Sequence, residues 1–419
     1  MKKILFATAI LVAVASCDKE NKDKELTWSP LTVEQQKQKI EENSIALIDN
    51  VEKLKNTDAY KAIYKFTDYL DASYSSSPAR RIVAPFKSLV TNIKDGKTTK
   101  ITNDFHKSLL AICKHPKSEN DGNPFGVWEW TWDFDGSMGW MEKKEDYNDY
   151  RIVVKIPTGT DPKVNNCVIT IVYTESTVDW HNDLNEMKEG LEEDLNFDIP
   201  KMPSAITIDM KVDNKIVLSA NYNATYKADG IPAQLSQTLS IDDFVLAFNV
   251  NYSDSEIRSS TSFKKGSTDL LKVENNIKGK LNYNNLLTIE ENGFGDVISS
   301  VSVKYQIMDI AIAGSIDDAK GFFTEIYDSS YPSEEEYYKK ECEVLNKYCK
   351  VCAYFVSDNT KFAEVEFFVK QYNDGYGSRY TRALRFIMSD GSKIEIEDYI
   401  ETGFDDLQKR IESLIDNLF

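Results

Sequence analysis

Ile206-Thr207-Ile208-Asp209-Met210-Lys211-Val212, the pair Asp213-Asn214, and then Lys215-Ile216-Val217-Leu218-Ser219-Ala220-Asn221-Tyr222-Asn223-Ala224-Thr225-Tyr226 alternate apolar and polar residues on both sides of a two-residue turn. Side chains two apart share one face of a strand. Ile206, Ile208, Met210 and Val212 therefore form one apolar face, and Ile216, Leu218, Ala220, Tyr222, Ala224 and Tyr226 form the next. The period recurs at Phe244, Leu246, Phe248, Val250 and Tyr252, at Leu271, Val273, Ile277 and Leu281, and at Val301, Val303, Tyr305 and Ile307. One apolar and one polar face per strand is the pattern of an antiparallel sheet with a solvated side. Short turns make sequence neighbours into sheet neighbours. So long a meander must curl, close or be covered to protect its apolar face.

Upstream, the period is helical. Thr32 and Gln35 form a capping box ahead of Ile40, Ile45, Leu47, Ile48, Val51 and Leu54. Asn56-Thr57-Asp58 breaks this helix and caps a second one carrying Tyr60, Ile63, Tyr64, Phe66 and Leu70. Further helices are expected around Ile82–Ile93 and Phe105–Cys113, closed by His115-Pro116. An acidic helix is expected over Asp183–Phe197. Downstream, Ser333 with Glu336 caps a helix through Leu345. Strands follow at Val351–Val356, Ala363–Tyr372 and Thr381–Met388, and another is marked by Ile394 and Ile396. Asn373-Asp374-Gly375 is a hairpin turn, and Phe404 to Leu418 is a closing helix.

The fold class is α+β: an N-terminal helical segment, a long curved antiparallel β-meander with helices packed on it, and an α+β C-terminal part. The expected division is 1–16 signal segment, 17–31 tether, 32–118 helical region, 119–314 antiparallel sheet and 315–419 C-terminal region, which either stands apart or continues the sheet.

The 419 residues carry a net charge of −18, and removing Lys2 and Lys3 from that count leaves −20. Such an excess disfavours nucleic acid, whose phosphates require Lys and Arg, and disfavours electrostatic adhesion to anionic lipid. Residues 32–117 run against the trend, with fifteen Lys or Arg against ten Asp or Glu. That asymmetry fits either separate, mutually attracted units or helix faces that happen to be solvated by lysine.

Lys2-Lys3, the apolar run Ile4–Val14 and the small residues before Cys17 compose a secretory signal too short to span a bilayer. Val14-Ala15-Ser16-Cys17 resembles the lipobox of bacterial lipoproteins. The resemblance implies cleavage before Cys17, acylation there with more than one chain, and tethering in the cell envelope, with the outer membrane the expected site. Asp18 to Pro30 reads as a solvated spacer and resembles the sorting tails of surface-exposed lipoproteins.

Downstream, Trp128, Trp130 and Trp132 share one face of a strand, with Trp140 close behind. Exposed, the indoles form a platform for sugar rings; buried, they supply core. The surrounding block, Gly126 to Tyr173, resembles strand-rich segments of anchored lipoproteins. Cys113, Cys167, Cys342, Cys349 and Cys352 are odd in number. Cys349-x-x-Cys352 has neither a second such pair nor a histidine at ligand spacing, which favours inert thiols over zinc or redox chemistry. Asp135-Gly136-Ser137-Met138-Gly139 is no nucleophile elbow, and the calcium-loop pattern beginning at Asp133 fails at Met138 and Lys144. No cofactor is implied.

Three functions fit. The leading one is a non-enzymatic envelope lipoprotein that binds a ligand or protein partner on its sheet. In its specific form it is an apolar-ligand carrier resembling half-barrel lipoprotein carriers, with a pocket of roughly several hundred cubic ångströms. The second is a surface glycan binder using Trp128, Trp130, Trp132 or Trp140. The third is a glycan hydrolase without a readable signature, which needs two carboxylates roughly 5 to 9.5 Å apart.

Overall fold

The computed structural model describes residues 26–54, 56–62, 65, 115–116, 125–133, 139–179, 197–198, 201–228, 230–287, 289, 293–326, 332–373, 375 and 377–416. Cys17 and the signal segment, the helices expected over most of 66–114, and the acidic helix expected from Asp183 lie outside these residues. The chain divides into two compact units, Val51–Asn249 and Met1–Asn50 with Val250–Phe419. The cut falls within the strand run expected over 119–314, and the C-terminal part shares a unit with the second half of that run.

The chain enters through β1 (Thr27–Trp28) and helix α1 (Val33–Leu54). Thr32 and Gln35 exchange side-chain and backbone hydrogen bonds at 3.0 and 3.3 Å, the reciprocal capping box read from the sequence. After the break, residues 58–62 are helical, and the Thr57 hydroxyl accepts from the Tyr60 amide.

In the unit Val51–Asn249, β2 (His115–Pro116) and β7 (Phe197–Asp198) form a two-residue antiparallel ladder. The main ladder is built from β3 (Gly126–Trp132), β4 (Gly139–Asp146), β5 (Arg151–Ile156), β6 (Cys167–Asp179), β8 (Lys201–Val212), β9 (Lys215–Tyr226) and β10 (Pro232–Ile241). It runs β4-β3-β5-β6-β8-β9-β10. Its strands are antiparallel except at β3–β5, where β4 serves as the return path and lets β3 and β5 run parallel. Sequence neighbours are therefore not always sheet neighbours. Register aligns Trp128, Val154, Ile169, Met210, Leu218 and Ile241 into one buried row across the sheet.

Asp213 and Asn214 both have positive φ, as a type I′ hairpin requires. Just beyond them the simple alternation slips. Met210 faces Leu218 while Lys211 faces Ile216, so Val217 is an extra residue. The bulge buries Val217 (2% exposed) and turns Ile216 outward (53%).

The second unit follows β11 (Phe244–Tyr252), which crosses the boundary between the units. Its ladder runs in chain order through β12 (Glu256–Lys265), β13 (Thr268–Gly279), β14 (Ile298–Ile307), β15 (Ile310–Ile316), β16 (Cys349–Phe355), β17 (Thr360–Asn373), β18 (Ser378–Ile387) and β19 (Lys393–Glu395), all antiparallel. The C-terminal strands thus continue the same sheet. β1 pairs in parallel with the start of β17.

Short helices α2 (Tyr283–Leu287) and α3 (Phe294–Val297) precede β14; α4 (Ala319–Ile326) and α5 (Glu334–Tyr348) connect β15 to β16; α6 (Ile396–Glu401) and α7 (Asp405–Asp416) close the chain. One core joins Ile40 of α1 and Tyr399 of α6 to Ala353, Phe355 and Phe386; another joins Ala319 of α4 and Leu345 of α5 to Ile316 and Phe367. In register these sheet residues share one face, so the helices form a layer over it. Ile396, expected in a strand, starts α6 instead: Ile396, Tyr399 and Ile400 recur at helical spacing and pack on that core.

Candidate functional site

The hairpin β3–β4 carries all four tryptophans singled out by sequence. Trp128 (8% exposed) and Trp130 (5%) are core residues. Trp128 continues the buried row from Val154, and Trp130 faces the buried Met141. Trp132 is half-buried, stacks edge-on against Trp130 at 5.9 Å, and donates its Nε1–H to the Pro162 carbonyl at 2.6 Å. Gly139 is required here: a Cβ would lie 2.4 Å from the Trp130 ring. The three indoles in line are therefore packing, and a platform built on Trp128 and Trp130 is ruled out.

Trp140 differs. It pairs with Thr131 on the opposite face of the hairpin and is 37% exposed. Glu129 and Glu142 stand opposite each other beside it. The Lys155 ammonium lies 2.7 Å from Glu129, and Lys144 binds Glu142. This outward patch combines one indole, a threonine hydroxyl and two lysine-bound carboxylates. Hydrogen bonding from Lys144, reinforced by Thr131, holds the Glu142 carboxyl below the usual carboxylate range. A general acid for glycoside cleavage needs the opposite shift. The alternation of Glu129 and Thr131 with the tryptophans was legible. That Trp140 joins their side was not, because hairpin register and the irregularity after Val127 decide it.

The described cysteines are free thiols. Cys349 and Cys352 are three apart on β16, which places one in the core and the other on the opposite face, so this pair cannot chelate a metal. Cys342 and Cys349 lie two turns apart along α5 and its cap, about 10.5 Å by helical rise, too far for a disulfide. Burial pushes the thiols of Cys167 and Cys349 up to about 12 and that of Cys342 up to about 11. Among the described residues no group of three or more His, Cys, Asp or Glu is placed to hold a metal ion, and no helix is long and apolar enough to cross a membrane.

No family model, curated protein or solved structure matches the chain.

Proposed function

We propose that the chain is a non-enzymatic lipoprotein of the cell envelope, acylated at Cys17, whose β-rich body binds a ligand or partner. The order Lys2-Lys3, Ile4–Val14 and Val14-Ala15-Ser16-Cys17 carries this reading. The strand ladder of the second unit, with helices over one face, supplies a scaffold for a binding surface. The deciding experiment is Cys17→Ser in a host that processes lipoproteins. The substitution is expected to abolish palmitate labelling and move the protein out of the membrane fraction; labelling that persists sinks the anchor.

A second reading, glycan binding, is favoured by the outward Trp140 among Thr131, Glu129 and Glu142. An indole face packs on the C–H face of a sugar while the polar neighbours take its hydroxyls. Polysaccharide retention by the wild-type chain and its loss on Trp140→Ala, with an unchanged unfolding midpoint, would support it. Equal retention by both proteins, or none by either, removes it.

A further inference from the structure

We propose that Trp28 seats in the bilayer interface, so that the face of the second unit opposite its helices rests on zwitterionic phospholipid headgroups. The proposal rests on acylation at Cys17 and adds an orientation to it. Leu26 packs on Ala311, Ala313 and Tyr354. Along β15 and β16 these residues alternate with Ile310, Ile312, Ala353 and Phe355, which the helix layer covers. The chain therefore joins the sheet on the face turned away from the helices. Only eight residues, Asp18 to Glu25, separate Leu26 from Cys17. Whatever path they take, an anchor at Cys17 keeps this end of β1 beside the bilayer.

One row of side chains crosses that face in register: Gln306, Ala311, Tyr354, Lys361 and Trp28. Trp28 ends the row and is 36% exposed, although its side chain is the largest of the five. The Lys361 ammonium lies 4.2 Å from the centre of the Trp28 ring, and the Lys304 ammonium 5.5 Å from that of Tyr354. Indole, phenol and lysine side chains suit the zone where acyl chains meet headgroups, because each joins an apolar body to a polar tip.

Both signs of charge are present. Glu364 binds Lys361, and Glu274, opposite Lys304 in register, lies 2.8 Å from Lys272 instead. The Lys304 ammonium is thus without a carboxylate partner among the described residues. Such a balanced patch matches the phosphate and ammonium of a zwitterionic headgroup, whereas a chain at −18 is repelled by anionic lipid. One indole orients the body and leaves retention to the acyl chains. The helix layer of the same unit then points away from the bilayer.

The test uses the acylated full chain in phosphatidylethanolamine–phosphatidylcholine vesicles, with part of the phosphatidylcholine brominated near the glycerol end of its acyl chains. Bromine quenches indole emission only at short range. Wild-type emission is expected to be lower on brominated than on unbrominated vesicles. Trp28→Phe, which removes this indole and keeps an apolar ring, should abolish that loss, and Lys304→Glu should weaken it. Both variants should still float with the vesicles. Should Trp28→Phe unfold, quenching of the wild type by bromine near the glycerol must still exceed quenching by bromine at the chain ends. A flexible Gly-Ser segment inserted between Glu25 and Leu26 should leave the quenching in place, because seating does not depend on a short connection. Its disappearance would reduce the contact to tethered proximity and overturn the proposal. Quenching that persists in folded Trp28→Phe, or unquenched wild-type emission on vesicles that carry the protein, overturns it as well. A wild-type chain that does not float removes the anchor instead, and the orientation with it.

Discussion

At the residue scale, the tryptophans of one hairpin separate into two kinds. Trp130 fills the core between Met141 and Trp132, so Trp130→Ala is expected to cost about 3–5 kcal/mol. Trp140 leaves its surroundings intact when truncated, and Trp140→Ala should stay within about 0.5 kcal/mol. Denaturant titration of both variants checks the contrast, and equal losses would contradict the packing described. The cysteines make a second residue-scale prediction. A buried thiol held near 11 or 12 is almost entirely protonated at neutral pH, and the thiolate is the nucleophile. Thiol reagents at about pH 8 should leave Cys167, Cys342 and Cys349 unmodified in the native protein and label them after unfolding. Prompt native labelling of any of the three would show that its site opens readily.

At the element scale, α1 is fastened to the hairpin loops beneath it. Lys39 lies 2.9 Å from Asp309 and 4.0 Å from the centre of the Phe355 ring; Asp309 also accepts from the amide and hydroxyl of Ser357, and Asn43 accepts from the Asp309 amide. Burial by itself raises the Asp309 carboxyl, but Lys39 and Ser357 outweigh it and hold the group below its ordinary value. A carboxylate lowered on folding stabilises the native state above its unfolded value of about 3.9, and that stability is lost as pH falls through the folded value. Urea midpoints followed downward from neutral pH should fall less steeply in Asp309→Asn than in the wild type. Identical slopes would mean that Asp309 does not contribute. Elements whose start is written locally were legible: Thr32 with Gln35 and Ser333 with Glu336 cap helices as read. β12 was not, since Ser259, Ser260, Thr261 and Ser262 show no apolar period. The Val217 bulge was also unreadable, because either phase of Ile216-Val217-Leu218 offers an apolar residue to the core.

At the scale of the whole molecule, a chain at −18 gains nothing from anionic headgroups, so the proposed acyl anchor would act alone. Washing membranes with about 1 M salt, which shortens the Debye length to roughly 3 Å, should not release the protein, whereas detergent should. Release by salt alone would replace the anchor with a charged partner.

The sequence by itself determined the class of structure: period two over most of the chain, helical period near its ends, caps and turns are all local patterns. It also excluded the familiar catalytic motifs. Only the tertiary structure decided that β3 and β5 run parallel around β4, that the C-terminal strands extend one ladder, and that Trp128 and Trp130 lie inside while Trp140 faces out. The physical reason is that periodicity specifies that a strand has two faces. Which face is buried, and which strands pair along each edge, depends on register and on what packs alongside.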